Sequence, residues 1–265
     1  MIGNALYFVA DDEESSGLGE RALEVRRHPG RDRRLKDIIS GDGDSNPYSL
    51  KNINGTLYFA ATDSAGTERW KSNGTAAGTT RVKDIVPGAG SSWTGMLAEH
   101  GGSLLFTASD ATSARELWKS DGTAGGTVLL KDLNPDTRPS TPGAVGVAAL
   151  DNVAYFYAGQ DENALGLELW RSDGTAAGTY RVKDINPGAG GAFSPWFAAP
   201  VTYEGALYFA ATTGANGIEL WKSDGTDAGT VLVKDIYAGV GSSSPSQLTV
   251  SDGLLFFRAW DPSGG

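Results

Sequence analysis

Short apolar runs rich in aromatic residues punctuate the chain at nearly even intervals. They read LYFAA at 57–61, LLFTA at 104–108, AYFYA at 154–158 and LYFAA at 207–211, and their starts lie 47, 50 and 53 residues apart. Each run leads into a segment of alternating polarity: ERWKSNGT at 68–75, ELWKSDGT at 116–123, ELWRSDGT at 168–175 and ELWKSDGT at 219–226. A GT pair follows, and then VKDI or a relative at 82–85, 130–133, 182–185 and 233–236. The tryptophan always precedes the Asp of KD by fourteen positions (Trp70 to Asp84, Trp118 to Asp132, Trp170 to Asp184, Trp221 to Asp235). No segment carries a helical period, so each repeat reads as four short strands: A after the PGAGSS-type loop, B the aromatic run, C the ELWKS segment and D the VKDI segment.

Turn chemistry agrees. Asp121-Gly122, Asp173-Gly174 and Asp224-Gly225 mark the C–D turn, with Asn73-Gly74 as an acceptable substitute, because Gly reaches positive φ freely and Asp or Asn tolerates it. Asn54-Gly55, Gly101-Gly102, Asp151-Asn152, Glu204-Gly205 and Asp252-Gly253 mark the A–B hairpins.

A four-stranded unit of about fifty residues in tandem predicts an all-β chain, a β-propeller of four-stranded antiparallel blades. A stacked solenoid of sheets is the competing architecture. About five blades are visible in one repeat domain over 1–265: units 41–87, 88–135, 136–187 and 188–238, with partial units at 1–40 and 239–265. A closed five-blade ring and a fragment or arc of a larger propeller are both open, and the fragment is favoured. Leu and Trp of ELW point to opposite faces of strand C, so both faces are expected to be covered by neighbouring blades. Burying one Trp removes about 150–250 Å² from water, at most roughly 4–6 kcal/mol per blade. Trp70, Trp118, Trp170 and Trp221, with Asp121, Asp173 and Asp224, are thus expected to be scaffold.

The first unit departs from the pattern. Residues 21–34 read RALEVRRHPGRDRR, and Leu23 stands where the motif Trp is expected. Synonymous codons exist for 22–33 that spell LWRSDGTPAGT one base later, with Trp at 23. A compensated frameshift, in the gene or in its sequencing, is the favoured reading over a solvated basic insertion; genomic DNA decides it.

Composition narrows the chemistry. The chain has 265 residues, no cysteine, two histidines and a net charge of -10. Disulfides and Cys/His zinc sites are excluded. A phosphate backbone is a poor partner for such a chain, and the segment 21–36, with seven of the 22 Lys and Arg, gives no reason to expect one. No apolar run is long enough to span a membrane.

The strings ELWKSDGT, GTxxVKDI and PGxxSS resemble the bacterial ELWxxDGT repeat family, often labelled hyalin-like, over nearly the whole chain. The resemblance implies a β-repeat fold and an extracellular or cell-surface location. It implies no catalytic residues.

Candidate chemistry is sparse. The repeated Glu68, Glu116, Glu168 and Glu219, and Asp84, Asp132, Asp184 and Asp235, are expected to make salt bridges and cap turns. Asp42, Asp44 and Asn46 resemble the start of an EF-hand loop, but Pro47 replaces the glycine and Ile53 the final Glu. Ser120 and Asp121 are adjacent, which departs from the Asp box of sialidase-type propellers. No metal or cofactor is expected. One variable column, at the start of strand A, holds Tyr48, Trp93, Gly143, Trp196 and Ser246. Its aromatics Tyr48, Trp93 and Trp196 would rim the channel and stack on a sugar or peptide. The expectation is a non-catalytic extracellular module for binding or display of a glycan or surface protein. The alternatives are a polysaccharide-active enzyme using channel-mouth carboxylates, among them Asp136, Asp161 and Glu162, and a structural spacer.

Overall fold

The computed structural model describes residues 5–10, 21–26, 33–39, 44–112, 115–133, 141–142, 148–159, 166–188, 190–193 and 199–262. Among them every regular element is a strand. The first sheet is β1 (Ala5–Ala10), β2 (Arg21–Arg26) and β3 (Arg33–Arg34). The second runs in order through β4 (Tyr48–Ile53), β5 (Thr56–Asp63), β6 (Gly66–Ser72) and β7 (Thr80–Arg81). The third comprises β8 (Gly95–His100), β9 (Ser103–Ala108), β10 (Glu116–Ser120) and β11 (Val128–Lys131). In the fourth, strand A comes in two pieces, β12 (Thr141–Pro142) and β13 (Ala148–Leu150), both on β14 (Val153–Gly159), followed by β15 (Glu168–Ser172) and β16 (Tyr180–Lys183). The fifth is β17 (Val201–Tyr203), β18 (Ala206–Thr212), β19 (Ile218–Ser223) and β20 (Val231–Lys234). The last is the pair β21 (Ser246–Ser251) and β22 (Leu254–Arg258). The chain divides into two compact units, 1–114 with 118–129 and 115–117 with 130–265.

Hairpin chemistry sets the register. At the A–B turns both central residues have positive φ: 48° and 81° at Asn54-Gly55, 47° and 71° at Glu204-Gly205, 50° and 73° at Asp252-Gly253. That geometry matches the right-handed twist of the flanking strands. In the separate B–C pairing the aromatic of strand B lies opposite the Trp of strand C: Phe59 opposite Trp70, Phe156 opposite Trp170 and Phe209 opposite Trp221. In the first sheet Phe8 lies opposite Leu23, so Leu23 takes the tryptophan's place in the ladder and 21–26 form strand C.

Each buried Trp packs on the sheet before its own. Trp70 shares a core with Phe59 and with Tyr7 and Ile38 of the first module. Trp118 and Phe106 pack on Ile53, Tyr58, Val82 and Ile85. Trp221 and Phe209 pack on Tyr155, Leu169, Val182 and Ile185. Trp170 is only partly buried. The indole N–H groups of Trp70, Trp118 and Trp221 meet no acceptor, so their contribution comes from burial and packing. Lys36 sits 5.8 Å over the Trp70 ring and Lys83 sits 5.9 Å over Trp118, adding a cation–π contact across each junction.

Replacing Trp221 by Ala removes the largest side chain from such a junction. The expected loss is about 3–5 kcal/mol in urea unfolding. A loss under about 1 kcal/mol would mean that the indole does not hold the junction.

Candidate functional site

The SDGT turn is a closed hydrogen-bond circuit. In the third sheet Asp121 Oδ1 accepts from Thr123 N at 2.8 Å and from Thr123 Oγ1 at 2.7 Å. Gly126 N donates to Thr123 Oγ1 at 2.9 Å. Thr127 Oγ1 donates to the Thr123 carbonyl at 2.7 Å, which leaves the Ser120 hydroxyl as donor to Thr127 Oγ1 at 2.7 Å while it accepts from Gly122 N at 3.0 Å. The same circuit surrounds Asp173 and Asp224. Thr donors hold the Asp121, Asp173 and Asp224 carboxyls below the usual range. These three aspartates are turn clamps, each holding its turn through Oδ1.

The turn glycine serves the sheet junction. Gly74, Gly122 and Gly225 have φ of 88°, 87° and 88°. A Cβ on them would run into the hydroxyls of Tyr7, Tyr58 and Tyr155 respectively, each from strand B of the preceding sheet. A tyrosine one residue before the strand B aromatic thus fits a glycine 64–70 residues later.

The motif glutamates are buried and bind backbone amides. Glu219 accepts from Ile236 N at 3.0 Å, Ser243 N at 2.9 Å and Ser243 Oγ at 2.6 Å. Glu68 accepts from Val86 N at 3.3 Å and Ser92 Oγ at 2.7 Å. Glu116 accepts from Leu133 N at 2.8 Å. The serine extends the clasp to the next sheet, since the Ser92 carbonyl accepts from Ser109 N and the Ser243 carbonyl from Trp260 N, both at 2.7 Å. Glu168 differs. It accepts from Ile185 N at 2.8 Å and Asn186 N at 3.2 Å, but Ala192 occupies the serine's place. Burial without that hydroxyl raises its carboxyl to about 7. Burial also raises Glu68, against the opposing hydrogen bond from Ser92.

Two of the motif aspartates form the expected salt bridges. Arg81–Asp84 and Arg181–Asp184 pair at 3.4 and 3.2 Å at partly exposed positions, where such pairs contribute little. Asp235 instead accepts from Asn216 Nδ2 at 2.9 Å. The KD lysines reach to the next module's turn: Lys36 to the Thr79 carbonyl at 2.8 Å, Lys83 to Thr127 at 2.7 Å, Lys131 to Ala176 at 3.2 Å and Lys183 to Asp227 at 3.0 Å.

The variable column divides. Tyr48 opens β4 opposite Ala60, and Ser246 opens β21 opposite Arg258. The residue at this register in the third sheet is Gly95, opposite Thr107. Trp93 stands two residues earlier, with φ of 49° like Asn46 and Ser244. Trp93 is 60% exposed and Tyr48 39%. Gly143, Trp196, Asp42, Asp136, Asp161 and Glu162 lie outside the described residues. No cluster of three or more His, Cys, Asp or Glu that could hold a metal ion occurs among the described residues.

One residue with functional character is absent from the sequence-based candidates. Arg69 replaces the Leu of ELW and is fully buried. The single worn motif ERW was its only signal.

No family model and no curated sequence matches the chain. Solved structures do match in fold. Puromycin hydrolase superposes with a TM-score of 0.51 at 17% identity, over 96% of this chain and 40% of that one. A puromycin-hydrolyzing peptidase of Mycobacterium tuberculosis gives 0.50 at 14% identity, over 99% and 42%. A prolyl endopeptidase structure gives 0.52 at 14% identity, over 96% and 37%. The chain therefore spans about two fifths of the length of these structures. The neighbours include β-propeller proteins, in agreement with the all-β expectation of four-stranded antiparallel sheets. The three structures named above are hydrolases. This corrects the expectation of a non-catalytic module for binding or display, and the enzymatic alternative is the better supported. The view that the chain is no enzyme has no support in these neighbours.

Two outcomes follow from the clasp and the turn. The folded Glu168 carboxyl holds its proton to about pH 7, whereas an ordinary one releases it near 4.5, so stability falls as pH rises across that window. Ala192→Ser supplies the hydroxyl found in the other clasps. It should raise stability at pH 7.5 by about 1.5 kcal/mol and flatten the pH dependence, read from urea midpoints between pH 4.5 and 8. An unchanged slope would refute the account. Gly225→Ala meets both the positive φ and the Tyr155 hydroxyl, and should cost about 2–4 kcal/mol. In a Tyr155→Leu background the cost should shrink to about 1 kcal/mol, the φ contribution alone; equal costs in both backgrounds would remove the tyrosine from the argument.

Proposed function

We propose that this chain is a β-propeller of the hydrolase kind, each four-stranded sheet one blade and about five blades in all, in a protein that cleaves peptide-type amide bonds. The observation that carries the reading is the fold likeness over 96–99% of the chain to puromycin hydrolase, a puromycin-hydrolyzing peptidase and a prolyl endopeptidase. The repeated acids are assigned to the scaffold, because Glu68, Glu168 and Glu219 are held by clasp donors and Asp121, Asp173 and Asp224 by turn donors. The propeller's contribution is substrate selection. Its exposed aromatics Tyr48 and Trp93 offer faces for an aromatic or prolyl side chain. We further propose membership of the ELWxxDGT repeat proteins and an extracellular or cell-surface site of action, on the motif strings themselves.

The test is binding of puromycin and of a prolyl dipeptide amide to the purified chain, read by titration calorimetry. Binding of at least one is expected, and Trp93→Ala and Tyr48→Ala are expected to raise Kd about 5–10-fold, the loss of one aromatic contact. A folded chain that binds neither, or variants with unchanged Kd, would overturn the reading.

A further inference from the structure

Arg69 is the largest fully buried side chain among the described residues. Its Nε, Nη1 and Nη2 hydrogen-bond to no protein group. In the other modules Leu117, Leu169 and Leu220 stand at this position, all buried. A guanidinium cannot shed its proton to escape burial. Desolvation brings Arg69 down only to about 10, so it is cationic at neutral pH.

The surroundings indicate what could answer that charge. Arg69 lies opposite Ala60, and Ala60 lies opposite Tyr48, so the three side chains share one face of the second sheet. The small Ala60 in the middle leaves the guanidinium within electrostatic range of the half-exposed Tyr48 hydroxyl. On the far side the Phe106 ring lies 5.3 Å from the guanidinium carbon. The ring is a cation–π neighbour, and burial shuts the N–H groups off from solvent as well as from protein acceptors. The neighbouring carboxylate, Glu68, is already engaged by Ser92 and Val86.

We propose that Arg69 anchors a carboxylate-binding site in the second sheet, beside Ala60 and Phe106, which a ligand enters when the exposed Tyr48 side chain on the same face swings aside. The class follows from the fork: two parallel N–H donors in a plane fit the two oxygens of a carboxylate. The carboxylate arrives free, at the end of a peptide, or on an acidic sugar. The site is independent of the hydrolytic reading, because it is tested by carboxylate binding alone.

The experiment is thermal unfolding of the full chain at pH 7 and fixed ionic strength, with sodium acetate replacing sodium chloride. Acetate several-fold above its Kd should raise Tm by about 2–4 °C over chloride. Arg69→Leu, the residue of the other modules, should start from a higher Tm in chloride and show no acetate response. Arg69→Lys, a charge without the fork, should lose most of the response. N-acetylglycine and glucuronate, each compared with its amide, then rank the peptide-end and sugar sources; tighter binding of either carboxylate than of its amide supports the site. Wild-type protein that responds equally to acetate and chloride, or an Arg69→Leu variant that keeps the acetate response, would overturn the proposal.

Discussion

A four-stranded sheet of this sequence cannot bury its own aromatic face. Phe59 and Trp70, Phe106 and Trp118, and Phe209 and Trp221 all project from strands B and C to one side, and each pair is covered by the preceding module. Several hundred square ångströms of apolar surface per junction depend on that cover, an amount larger than any polar interaction in the chain supplies. The stability of one sheet is thereby tied to the next, as in other repeat architectures. The rest of the repeat is arranged so that this packing can occur at one spacing and one register.

The polar residues that recur with the tryptophan are consequences of that requirement. Lysine of KD crosses to the next module and ends on a turn carbonyl, passing over the indole in two of the junctions. Glutamate of ELW receives the amides that follow strand D and a serine hydroxyl ahead of the next strand A. The SDGT turn closes on itself and presents a glycine to the preceding tyrosine. These charged and polar groups are engaged by the protein itself. Chemistry therefore falls to residues that the repeat does not fix, which in this chain means side chains that break the pattern.

Most of the scaffold was legible because its signals are local. The Trp–Asp spacing, the Asp-Gly turns and the hairpin pairs each name a backbone conformation without reference to distant residues. The glutamates were harder. Their partners are the amides 17–18 and 24 residues ahead, which no pairwise charge pattern identifies, so salt bridges to Lys and Arg are the natural expectation where backbone amides hold Glu219. The strand A column slipped by two at Trp93, because the alignment followed the aromatic residue whereas the backbone follows the buried serine: Ser92, like Ser45 and Ser243, is the residue held between sheets. The enzymatic character of the fold neighbours lay beyond the sequence entirely, since at 14–17% identity the likeness exists only in three dimensions.

Arg69 shows how a repeat can acquire something its siblings lack. At a leucine position a guanidinium loses its hydration and gains only an aromatic face, and an unpaired buried charge ordinarily costs several kcal/mol. A repeat scaffold can absorb that cost because its stability is a sum over junctions, and three neighbouring copies keep the leucine. The same substitution in a small single-core domain would consume most of the margin between folded and unfolded states. Redundancy of packing thus frees individual positions from the packing rule. A position so freed can carry a buried charge aimed at a ligand, which is the kind of feature that identical repeats alone cannot provide.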